Sequence, residues 1–238
     1  MSLSTNRQIL LKSRPAGRVT ADLFEFAETP RPSPGPSELL IRVLYLSVDP
    51  AMRGWIAEAA NYSAPVPLGG AMRSFTLGEV VESRHPDYVP GDLVYGRQGW
   101  QEWAVSDGAD IERKVDPADG PVTAALHVLG LNGITAYFGL LEAGAPRAGE
   151  TVVVSTAAGA VGSVVGQIAK IKGCRTVGIT GSAAKVRQCL DEFGYDAALD
   201  YHAEADLADA PRAMQVADLQ PFVIGHQHVA QPEGEVLD

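Results

Sequence analysis

The sequence predicts an α/β protein in which an irregular β domain precedes a doubly wound parallel sheet. Two observations carry this. Up to about residue 120, short β-type runs alternate with Pro- and Gly-rich turns, and beyond it strand and helix patterns alternate. In the first part the runs cover residues 38–45, 77–82 and 91–95, and residues 30–36, with four prolines, form the clearest turn stretch. These stretches are short enough to be turns between strands rather than linkers, and no internal repeat is evident.

In the second part, Thr151–Ser155 reads as a buried parallel strand, with three consecutive valines and no polar alternation. The helix after it has apolar Val161, Val164, Val165, Ile168 and Ile171 at three- and four-residue spacing, and Gly173 supplies its stop. Gly159 lets the backbone approach a phosphate, Gly162 lets helix and strand pack closely, and the free amides at the helix start attract an anion. Ala157 stands where the usual fingerprint has its first glycine. The flanking strand and helix favour a dinucleotide pyrophosphate site over an ordinary strand-to-helix turn. Arg175–Thr180 reads as the second strand. NAD-preferring sites carry an acidic residue there, about 20 residues past the glycines, for the ribose 2′-hydroxyl. This chain instead has Gly181, Ser182, Lys185 and Arg187: a small residue, a hydroxyl and two cations. That favours NADP over NAD; the alternative is that both cations belong to the solvated face of a helix running to about Phe193.

The 238 residues suffice for one large domain or two smaller ones with a sizeable core, and the net charge of −10 argues against nucleic acid or an anionic membrane as partner. Cys174 and Cys189 form no CxxC pair and read as small packed side chains in a reducing compartment. Arg7, Lys12 and Arg14 interrupt the N-terminal region, so neither a signal peptide nor a transmembrane helix is expected and the cytoplasm is the default location. The first 120 residues hold no cysteine and one histidine, His85, beside Pro86 in a turn, too few ligands for a zinc site.

Several motifs, Leu46-Ser-Val-Asp-Pro50, Met52-Arg-Gly54, Gly78-Glu-Val-Val-Glu-Ser83, Gly91-Asp-Leu-Val94, Gly99-Trp-Gln-Glu102 and Leu129-Gly-Leu-Asn-Gly-Ile-Thr-Ala-Tyr-Phe-Gly-Leu140, join the segment from Ala157 to Lys170. Together they resemble the leukotriene hydroxydehydrogenase and prostaglandin reductase branch of the medium-chain dehydrogenase/reductases, from about Asn6 to about His202. The resemblance implies a GroES-like catalytic domain over residues 1–120, a partial Rossmann NADP-binding domain with a truncated sheet over 121–215, and no zinc, and it suggests a homodimer. It also implies NADPH-dependent reduction of the carbon–carbon double bond of α,β-unsaturated ketones or aldehydes. Hydride goes to the β-carbon and a proton to the α-carbon, while the protein orients the substrate and stabilises the enolate oxygen.

Matched residue by residue, the resemblance places Thr135 beside the nicotinamide and Gly159, Ala160, Val161 and Gly162 at the pyrophosphate. It places Lys185 at the 2′-phosphate, with Tyr201 against the same group. Alone, Thr135 also reads as a helix-interior threonine bonding its own backbone, and Tyr201 as a packed aromatic. Asp49, Pro50, Met52 and Arg53 match a loop lining the family's cleft, where Ala51 replaces a usual tyrosine. Tyr62 reads either as a phenol for the enone oxygen or as a ring covering the core. No proton donor is assigned.

Family members run on for roughly another hundred residues, the size of a further half-domain. Residues 209–214 resemble a segment near the family's C-terminus, so an internal deletion is expected, followed by a divergent tail over 216–238. Its His226 and His228 read as part of an irregular tail rather than a metal site. Only one side of the sheet is recognisable, so Thr151–Ser155 is expected at an exposed apolar edge. The alternative function is a truncated, non-catalytic relative that binds nucleotide weakly or acts only as an interaction partner.

Overall fold

A computed structural model describes residues 4–58 and 63–203; Tyr62 and everything expected of residues 204–238 lie outside the described residues. The chain divides into two compact units, Met1–Leu126 and His127–Asp238. Among the described residues no helix is long and apolar enough to cross a membrane.

The first unit contains β1 (Thr5–Leu11), β2 (Phe24–Pro30), β3 (Leu39–Leu46), the single turn α1 (Met52–Trp55), β4 (Thr76–Ser83), β5 (Leu93–Gly96), β6 (Trp103–Ser106) and β7 (Ile111–Val115). β1 and β2 pair antiparallel, and the other five form an antiparallel sheet of order β6-β3-β4-β5-β7. The three strands anticipated from sequence are present with shifted ends. Leu39, Leu40 and Ile41 are fully buried, which explains why β3 reads as an apolar run rather than an alternating one. Buried Asn6 ties β1 to β6: its carbonyl accepts from the amides of Trp103 (3.0 Å) and Glu102 (3.2 Å), and its Nδ2 donates to the Trp103 carbonyl (2.9 Å). A second buried polar set joins β4 to the following loops. Thr76 donates to Gln98, and Asp110 accepts from Gln98 and from Ser106.

The second unit contains α2 (Leu131–Phe138), β8 (Thr151–Ser155), α3 (Ala160–Ile171), β9 (Arg175–Thr180), α4 (Ala183–Asp191) and β10 (Ala197–Asp200). Its parallel sheet has the order β10-β9-β8, which leaves β8 at an edge among the described residues. Ala136, Leu140, Val154, Ala157, Val164, Val165, Ala169, both cysteines and Tyr195 make the core. Burial pushes both thiols up, as expected of packed cysteines. Three details differ from the sequence reading. Ile171 is 83% exposed, because the stripe begun by Val164 and Val165 drifts off the sheet by the last turn. Gly166 and Ser163, neither apolar in type, are buried on that face instead. α4 stops at Asp191 rather than near Phe193, where Gly194 (φ 71°) reverses the chain and Tyr195 N–H turns back to the Cys189 carbonyl (3.0 Å).

α3 ends as the glycine rule anticipates. Gly173 (φ 78°) follows the last turn, Gly173 N–H donates to Lys170 O and Cys174 N–H to Ala169 O. Asp196 fastens that end to the sheet, pairing with Lys170 Nζ (2.5 Å) and accepting from Thr176 N (2.7 Å) and Oγ1 (3.1 Å).

Two predictions follow from this packing. Burial alone would raise the Asp196 pKa, but its bonds to Lys170 and Thr176 together hold it below the usual carboxylate range. A depressed folded pKa gives stability that is present above the unfolded value, about 3.9, and lost as pH falls through the folded one. Asp196→Asn should therefore lower Tm by a few degrees at pH 7 and flatten its decline below about pH 4, read from thermal melts across that range. Secondly, β8 leaves through Thr156, a β-branched residue at φ 53° in the left-handed region. Such strain is worth roughly 1–3 kcal/mol and glycine's added unfolded-state entropy costs about 1. Thr156→Gly should stabilise the unit by about 1 kcal/mol in urea unfolding.

Candidate dinucleotide site

The turn from β8 into α3 is built to leave backbone amides unspent. Thr156 O accepts from Gly159 N (2.8 Å), and Gly159, extended at φ −84° and ψ 173°, caps α3 and accepts from Ser163 N (2.9 Å). The amides of Ala160, Val161 and Gly162 have no acceptor among the described hydrogen bonds. They point out of the start of a twelve-residue helix, where the macrodipole adds to their attraction for an anion. Gly162 is the residue that cannot carry a side chain. A Cβ there would overlap Thr156 O and lie 2.9 Å from Ala157 Cα, so its absence permits helix and strand backbone to touch. Ala157, in place of a glycine, is fully buried and donates to Ile179 O (3.1 Å), joining the turn to β9.

A second turn lies at the end of β9. Ser182 is the N-cap of α4, and its hydroxyl accepts from Lys185 N (3.3 Å), which leaves its own proton to donate. Lys185 and Arg187 are exposed on α4 and form no ion pair among the described residues. Tyr201, just past β10, is 44% exposed, and its ring lies against the backbone of Gly181, where a Cβ would stand 2.9 Å from the phenol oxygen. Gly181, Ser182 and Tyr201 are thus gathered at the carboxyl ends of adjacent strands, with Lys185 on the first turn beyond. No acidic residue occupies the end of β9.

Thr135 is exposed on α2 and donates its hydroxyl proton to Leu131 O (2.7 Å). Toward any ligand it can only accept. In the first unit, Pro50 and Arg53 are exposed, Arg53 donating to Gly17 O (3.0 Å), and Asp49 accepts from Ser47 Oγ (2.5 Å). Met52 departs from expectation. It is 6% exposed and packs among Leu11, Trp55, Ile56, Val66 and Met72, so its side chain is core rather than cleft lining. Among the described residues no group of three His, Cys, Asp or Glu is arranged to hold a metal ion. Sequence reasoning missed Thr156 and Tyr195. A glycine inside each of α3 and β9, Gly166 and Gly178, was the available sign that something bulky packs there.

Known proteins resemble the chain over most of its length. Residues 7–114 match the family model described as the N-terminal domain of oxidoreductase. The NADPH-dependent curcumin reductase of Escherichia coli is 46% identical over 84% of this chain and 57% of its own length. Rabbit (Oryctolagus cuniculus) prostaglandin reductase 1 is 41% identical over 84% of this chain and 55% of its own. The crystal structure of CurA in complex with NADPH from Vibrio vulnificus superposes with a TM-score of 0.77 at 42% identity, over 89% of this chain and 60% of that one. The chain therefore spans less than two thirds of the length of each of these relatives. The motifs, the two-unit architecture and these matches agree: residues 7–114 carry the N-terminal domain of oxidoreductase, and over most of its length the chain is similar to NADPH-dependent curcumin reductase and prostaglandin reductase 1.

Proposed function

We propose that the protein is an NADPH-dependent oxidoreductase that reduces the carbon–carbon double bond of α,β-unsaturated ketones or aldehydes. The observation that carries the reading is the pair of βα turns: free amides at the start of α3, and a hydroxyl and a cation, not a carboxylate, after β9. The free amides and the missing Gly162 side chain suit a pyrophosphate, and Ser182, Lys185 and the Tyr201 phenol suit a 2′-phosphate.

Bound NADPH supplies the hydride. Ala160, Val161 and Gly162 hold the pyrophosphate through their amides, while Lys185 adds charge and Ser182 a proton at the 2′-phosphate. Thr135, whose proton is taken by Leu131 O, would offer its oxygen lone pairs to a carboxamide N–H of the cofactor. Pro50 and Arg53 contribute the exposed surface of the substrate loop, and Met52 holds that loop from beneath by packing into the core.

A fluorescence titration with NADPH and NADH tests the reading. Saturable binding at micromolar NADPH with weaker NADH is expected, and Lys185→Ala should weaken NADPH about tenfold with little change in NADH. Equal affinity for the two cofactors would overturn the 2′-phosphate assignment, and binding of neither would overturn the nucleotide reading itself.

A further inference from the structure

Tyr195 is 4% exposed, and its hydroxyl donates to the Gly162 carbonyl at 2.6 Å. Gly162 lies on the first turn of α3, and an ideal helix would direct the Gly166 amide to that same carbonyl. The Gly166 amide lies beside the phenol oxygen as well, so the hydroxyl sits at the 162-to-166 step of the helix. Burial is the main cause pushing the phenol pKa up, with Cys189 adding to it, so the group stays a protonated donor through the neutral range. The ring fills space that two glycines leave open. A Cβ on Gly166 would overlap ring carbons Cε2 and Cζ, and one on Gly178 would stand 3.3 Å from Cδ1. Asp196, the next residue, holds the opposite end of α3 through Lys170. One dipeptide therefore grips the helix at both ends.

We propose that Tyr195 is a positioning residue of the dinucleotide turn. By holding the Gly162 carbonyl it fixes the direction of the free amides at Ala160, Val161 and Gly162, and through them the affinity for the cofactor's pyrophosphate. The proposal rests on the nucleotide reading given above. If those amides converge for only part of the time, the apparent affinity falls by that fraction. The adenosine 2′-phosphate end, held at α4 and Tyr201, does not depend on the contact.

Tyr195→Phe keeps the ring and removes the hydroxyl. Two probes, NADPH and adenosine 2′-monophosphate, which has no pyrophosphate, are titrated against the wild-type and variant chains. The expected result is about fivefold weaker NADPH with unchanged adenosine 2′-monophosphate. Unchanged NADPH affinity overturns the proposal while leaving the nucleotide reading in place. Equal weakening of both probes also overturns it, because it assigns Tyr195 a general structural role. A wild-type chain that binds neither probe overturns the nucleotide reading and the proposal together.

Discussion

The first turn of helix α3 meets, backbone to backbone, the turn that leaves β8, and the second unit is organised around that approach. It is possible because Gly162 has no side chain where Thr156 O and Ala157 Cα come closest. The approach also fixes where the helix starts, and so where three unsatisfied amides emerge. A longer side chain at any of these contacts would lift the helix and turn its dipole away from the strand ends. Thr156 stands in a costly backbone conformation at this turn, which is where functional sites concentrate such strain.

The first unit is held by different means. Its apolar clusters are several and small, and buried polar groups join the elements between them. Asn6 satisfies two amides and a carbonyl at the start of β6, those of Glu102 and Trp103, from one side chain, and Asp110 collects donors from Gln98 and Ser106. Such directional contacts give an irregular β unit a single register where side-chain alternation alone would leave it ambiguous. The loop carrying Pro50 and Arg53 inherits this rigidity through Met52 and Trp55 beneath it.

The parts of the second unit governed by local rules were legible in the sequence. Thr151–Ser155 and Arg175–Thr180 occupy the residues their composition indicates, and Gly173 ends α3 as a left-handed cap should. What was not legible depends on contacts distant in sequence. Met52 has the same neighbours along the chain whether it lines a cleft or fills a core; only Leu11, Val66 and Met72 decide. Ile171 fits the apolar period of α3 but lies past the point where the helix still faces the sheet. Tyr195 carries no motif, and its role arises because Gly166 and Gly178 stand opposite one another across its ring. The turn residues of the candidate site were readable because glycine and serine are chosen there for backbone reasons; Tyr201, an ordinary packed aromatic by its own residue type, was reached only through the family resemblance.

The three strands β8, β9 and β10 run parallel in sequence order, each followed by the turn that contributes to the candidate site. All the groups proposed for the cofactor phosphates consequently lie between Gly159 and Tyr201 and are joined by two successive strand-to-helix crossovers. Loop-closure entropy rises with the length of chain to be closed, so this compact stretch can gather its anion-binding groups without waiting for long-range pairing. Assembly of the phosphate cradle is on these grounds an early event in folding. The antiparallel unit, whose β1 must find β6 across nearly a hundred residues, is the slower partner.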